Sequence, residues 1–93
     1  MRKGARFVVH GFVQGVGYRS LVKKIAERNS LCGFVRNLGD GSVEIFVEGN
    51  PTDISRFETE ISVRIHGGPD VYRVYREEAT PIGKNSFVVE KSL

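Results

Sequence analysis

The 93-residue sequence has no tryptophan, one cysteine, one methionine, two histidines and three prolines. With Cys32 alone, neither an internal disulfide nor a cysteine-based metal cluster can form, and no metal site is expected. Placed between Leu31 and a strand, Cys32 reads as a buried, inert thiol. No apolar run approaches the ~20 residues that cross a bilayer. The basic start, Met1-Arg2-Lys3-Gly4-Ala5-Arg6-Phe7, leads into a short apolar segment broken by His10 and Gly11, without a secretory cleavage pattern. A cytoplasmic protein with no membrane partner is expected. Charge of one sign is lacking too: 14 basic against 11 acidic residues leave +3, with the cations scattered, which suits a small anion as well as a polymer.

What is present is an ordinary globular composition, 40% hydrophobic and 27% charged. The length serves one core, so residues 1–93 are read as a single domain and a monomer, with no internal repeat or linker. Arg6 to Val13 is rich in β-branched and aromatic residues and reads as a strand. Tyr18, Leu21, Val22, Ile25 and Ala26 recur at helical spacing, predicting an amphipathic helix over about 18–29. Gly33–Leu38 and Ser42–Glu48 flank Gly39-Asp40-Gly41, a hairpin signal. Val43, Ile45 and Val47 alternate with Glu44, Phe46 and Glu48, which predicts one buried and one largely wet sheet face. Asn50-Pro51-Thr52-Asp53 opens a second helix, with Ile54, Phe57, Ile61 and Ile65 on its apolar side and Gly67-Gly68-Pro69 at its end. Val71–Ala79 and Ser86–Glu90 read as two more strands.

The order, strand-helix-strand-strand-helix-strand with a short strand appended, is the α+β, ferredoxin-like split βαβ sandwich (βαββαβ): an antiparallel sheet with two helices on one face. Such a fold hosts many functions, so the site must decide. The informative site is Val13-Gln14-Gly15-Val16-Gly17-Tyr18-Arg19. A helix N-terminus carries about +0.5 of a charge, and Arg19 in the first turn has the wrong sign unless an anion sits between. Gly15 and Gly17 permit positive φ and close approach, so the amides from Gly15 to Arg19 can converge on one oxyanion, and Arg19 can add charge-assisted hydrogen bonds; taken alone, the motif equally fits an ordinary glycine turn with a solvated arginine. The third glycine of a dinucleotide fingerprint is missing, and Gly83-Lys84-Asn85 lacks a full P-loop. Asn37, near the end of the second strand, has donors and an acceptor that can orient a water; alone it also fits an ordinary strand end.

Gly11-Phe12-Val13-Gln14-Gly15-Val16-Gly17-Tyr18-Arg19, followed by Gly33-Phe34-Val35-Arg36-Asn37 and Asp40-Gly41-Ser42-Val43, resembles the two signature blocks of the acylphosphatase family. Phe12 stands where many members have a polar or basic residue, and Gly39 where proline is frequent. The resemblance implies hydrolysis of a small-molecule acyl phosphate to a carboxylate and inorganic phosphate, without metal or organic cofactor. It implies that Arg19 and the amides of Val13, Gln14, Gly15, Val16, Gly17, Tyr18 and Arg19 bind the phosphoryl group. It implies further that Asn37 positions the attacking water and that a phosphate oxygen takes up the water's proton.

The chemistry needs no general base: the leaving carboxylate has a conjugate-acid pKa near ~4, and a loose phosphoryl transfer asks mainly for positioning and charge. His10 and His66 have no matching ligand or nucleophile, Tyr18 belongs to the helix's apolar stripe, and Glu27, Glu58 and Glu60 lie on helices over the opposite face. An RNA-binding ferredoxin-like module is the alternative from another class. Phe7–Phe12, Arg73, Tyr75 and Arg76 suit it, but Ser42–Glu48 offers one aromatic between glutamates, so no nucleic acid is expected. A second alternative is an acylphosphatase-like domain cut from a larger carbamoyl-transfer protein of hydrogenase maturation; Met1 and the ending at Leu93 favour a complete small protein.

Overall fold

A computed structural model describes residues 1–93. Its elements are β1 (Lys3–Phe12), α1 (Tyr18–Arg28), β2 (Cys32–Asn37), β3 (Val43–Gly49), α2 (Pro51–Ile61), β4 (Asp70–Ala79) and β5 (Phe87–Val89). The strands form one sheet in the order β4-β1-β3-β2-β5. The first four pair antiparallel, as the split βαβ order requires, and β5 runs parallel to β2, with Gly33 opposite Phe87. The sheet is therefore mixed at that one edge. Ala5, Phe7 and Val9 from β1 and Val43, Ile45 and Val47 from β3 share a core with Tyr18, Val22 and Ile25 of α1 and Ile54, Phe57 and Ile61 of α2. Both helices thus cover the same sheet face.

The helix ends follow their local chemistry. Asn50 caps α2 by accepting from the Thr52 amide at 2.9 Å, and Pro51 fills a position where a missing N–H costs nothing. The helix stops at Ile61, so Ile65 is not on its apolar side. Ile65 is exposed and opens a turn in which its amide donates to Pro69 O at 2.8 Å. The chain leaves the helix because Val63 turns inward against the core, and its carbonyl accepts the Val71 amide at 2.8 Å, leading into β4.

The outer face of β3 corrects a second expectation: Glu44, Phe46 and Glu48 are buried. The strand is central, and long side chains from its neighbours fold over it. Arg6 and Arg36 both donate to Glu44, the latter at 2.6 Å, and Phe34 stacks on Phe46 at 5.8 Å. Glu48 accepts from Arg2 at 3.0 Å and from the amides of Ile82 and Gly83 at 3.1 Å. Paired charges and hydrogen bonds make that burial tolerable. Cys32, on the same face, is half-buried rather than fully buried.

Candidate active site

The loop between β1 and α1 begins where Val13 turns its side chain into the core. Gly15 and Gly17 then take φ of 75° and 78°. A Cβ at either would meet nothing within 4 Å, so it is the left-handed backbone, not crowding, that selects glycine. Gly17 caps α1 without a side-chain hydrogen bond, and the first turn contains no acidic residue. The Leu21 amide closes the first turn onto Gly17 O at 3.1 Å, while the N–H groups of residues 14–20 find no acceptor in the chain. An uncapped helix start with free amides favours negative charge beside it.

Two side chains of the loop are committed elsewhere. Gln14 donates through Nε2 to Leu38 O and Ser42 O, both at 2.9 Å, and so pins the loop to the β2–β3 hairpin. Tyr18 is buried and donates to Ile61 O at 2.8 Å, joining the start of α1 to the end of α2. Burial pushes its phenol pKa up. Each can therefore donate to a ligand only through its backbone amide. Val16 packs against the core.

Arg19 is half-buried, donates through Nη1 to Glu90 O at 3.1 Å and makes no ion pair. Its charge is uncompensated beside a helix end of the same sign. With Val13, Gly15, Gly17, Tyr18, Ser20 and Val89 it lines a cavity of about 130 Å³. At ~30 Å³ for each water-sized group, that admits a small tetrahedral anion. Gln14, Val16 and Asn37 are not in the lining.

Asn37 ends β2 opposite Val43. Its side chain is buried, and Oδ1 has no partner in the chain, an acceptor left open where nearly all buried acceptors are satisfied. Residues 90–93 link it to Arg19: the Glu90 amide donates to Val35 O at 2.8 Å and the Leu93 amide to Asn37 O at 3.0 Å, while Glu90 O takes the guanidinium of Arg19. Ser20 and Val89 were not anticipated as lining residues. Ser20 had a signal, a hydroxyl in the first helical turn; Val89 comes from β5, whose long-range pairing leaves no local mark.

The histidines stay outside. His10 packs edge-on against Tyr75 at 5.6 Å, and His66 lies in the exposed turn before β4. Glu58 pairs with Arg76, and Glu60 with Arg28 and Asn29, so these carboxylates are structural.

Residues 5–89 match the family model described as Acylphosphatase. An acylphosphatase of Methanospirillum hungatei is 38% identical, the match covering 96% of this chain and 98% of that protein. The crystal structure of acylphosphatase from Bacillus subtilis superposes with a TM-score of 0.85 at 32% identity, covering 97% of this chain and 99% of the other. The crystal structure of T. kodakarensis HypF aligns with a TM-score of 0.82 at 34% identity, covering 98% of this chain but 12% of that larger one.

Proposed function

The chain belongs to the acylphosphatase family, and we propose that its phosphoryl site is the cavity at the start of α1, with Arg19 and Asn37 as the catalytic residues. The protein is an acylphosphatase, an enzyme hydrolysing acyl phosphates to a carboxylate and inorganic phosphate. One observation carries the assignment of the site: free amides at an acid-free helix start and an unpaired arginine border the same small cavity.

The substrate's phosphoryl oxygens accept from the amides of residues 13–19 and from the Arg19 guanidinium. That places the charge of the transition state on fixed donors already in position. The water, held by Asn37, attacks phosphorus as the bond to the acyl oxygen breaks, and the carboxylate departs without needing a proton, its conjugate acid having a pKa near ~4. The water's proton passes to a phosphate oxygen, so no side-chain base is required. The open Oδ1 of Asn37 supports its role, because an acceptor fixed in a buried position can orient a water's O–H.

We further read residues 1–93 as one domain, a cytoplasmic monomer working without metal or organic cofactor. The match over residues 5–89 supports the single domain, and a carboxylate leaving group supports metal-free chemistry. Amide NMR tests the site. On adding inorganic phosphate, the resonances of Gly15, Gly17 and Arg19 should shift together and saturate. Shifts confined to other residues would move the phosphate site elsewhere.

A further inference from the structure

The sheet face away from the helices carries a second cluster that the hydrolytic site does not use. Tyr72 and Tyr75 are 67% and 52% exposed, and with His10 and Arg73 they line a groove of about 290 Å³. Strand register builds it, setting His10 opposite Arg73 and Val8 opposite Tyr75.

The rings are held rather than loose. Arg73 donates to the Tyr75 hydroxyl at 2.8 Å with its guanidinium 5.8 Å from that ring's centroid, and His10 packs edge-on against the same ring. Arg64 lies 6.0 Å from the Tyr72 centroid. The neighbouring cations are committed: Arg64 to Asp70, Arg6 to Glu44 and Glu77, Arg76 to Glu58 and Glu78. Those pairs also engage Asp70, Glu77 and Glu78 of β4, while Asp40, which faces His10 from the β2–β3 turn, accepts from the amide and hydroxyl of Ser42. Arg73 alone in this group has no carboxylate partner.

Exposed aromatic rings beside a guanidinium that has no carboxylate partner match a flat, polarisable ring that carries an anion. A simple anion would have no use for the two rings, and an apolar ligand none for Arg73. We propose that the groove of His10, Tyr72, Arg73 and Tyr75 binds a nucleoside phosphate, with the base stacked on the tyrosines and the phosphate on Arg73. The aromatic platform differs from that of the RNA-binding alternative, which needs β3: here it lies on β4 beside β1, where no glutamate is left unpaired.

The same chemistry is offered by a free mononucleotide and by a single strand. The test titrates the full-length protein with AMP, followed by NMR, and with a labelled short oligoadenylate, followed by fluorescence anisotropy. The parent should bind at least one. Saturation by AMP with no gain for the oligomer identifies a free nucleotide, and affinity rising with strand length identifies a strand. Tyr72→Ala and Tyr75→Ala should each weaken binding about tenfold or more, the usual consequence of losing a stacking face. Arg73→Gln should weaken binding and flatten its salt dependence. All three side chains are exposed, so melting temperature and benzoyl phosphate hydrolysis should match the parent. No binding of either probe by the parent, binding indifferent to all three substitutions, or binding lost in Arg19→Ala instead would overturn the proposal.

Discussion

Arg19 Nη1 donates to the backbone carbonyl of Glu90 at 3.1 Å, across 71 residues of sequence. The acceptor is neutral, so the arginine is held in place while its charge stays available to a ligand. Ending the chain after Val89 keeps β5 but removes that carbonyl and the Leu93 contact to Asn37. Losing one hydrogen bond to a charged group, worth about 1.5–3 kcal/mol, should raise KM for benzoyl phosphate roughly tenfold or more. Glu90→Gln keeps the carbonyl and should leave KM unchanged. Equal KM for the parent and the shortened chain would show that Arg19 does not depend on the tail.

Asn37→Ala separates catalysis from stability. Its Oδ1 has no partner to lose, so the melting temperature should hold within a few degrees, corresponding to under about 1 kcal/mol. Turnover should fall sharply, while inorganic phosphate still competes. Activity at the parent level would remove Asn37 from the water's path.

Glycine substitutions should separate by mechanism. Gly15→Ala meets no atom within 4 Å, so it pays only for a left-handed backbone, about 1–2 kcal/mol, and should weaken phosphate affinity while the fold survives. Gly33→Ala would drive a Cβ into Phe46 O, which forces β2 away from β3. Urea melts should show a far larger loss for Gly33→Ala. Similar losses at the two positions would contradict this reading of the loop.

Acid should expose the buried carboxylate Glu48. Desolvation pushes its pKa up, but the Ile82 amide, Arg2 and further loop amides outweigh it and hold the group below the usual carboxylate range. A folded pKa below the unfolded value, ~4.3, means that this contribution is complete above pH ~5 and is lost as pH falls through the folded pKa. The urea midpoint should be flat from pH 7 to ~5 and drop below ~4. Glu48→Gln should be less stable at pH 7 and show a shallower acid drop. An acid drop as steep as the parent's would assign the effect to other carboxylates.

The sequence made α1 legible because its apolar spacing is a local property, and the glycine turn because positive φ and the missing acidic cap are local too. The covered outer face of β3 was not legible. Alternation marks Glu44 and Glu48 as polar, but the side chains that cover them come from elsewhere in the chain, Arg6 from β1, Arg36 from β2 and Arg2 from the segment before β1. Ile65 continued a helical spacing that the inward turn of Val63 interrupts. The bond from Arg19 to Glu90 and the parallel pairing of β5 are equally long-range, which is why Val89 escaped notice as a wall of the site.

The most direct test of the account is benzoyl phosphate hydrolysis by the parent and by Arg19→Ala, with inorganic phosphate as competitor. The parent should turn over substrate and be inhibited competitively by phosphate. Arg19→Ala should lose at least about 10²–10³ in kcat/KM together with phosphate inhibition. Hydrolysis by Arg19→Ala at the parent rate, with phosphate still competing, would contradict the claim that the cavity at the start of α1 holds the phosphoryl group.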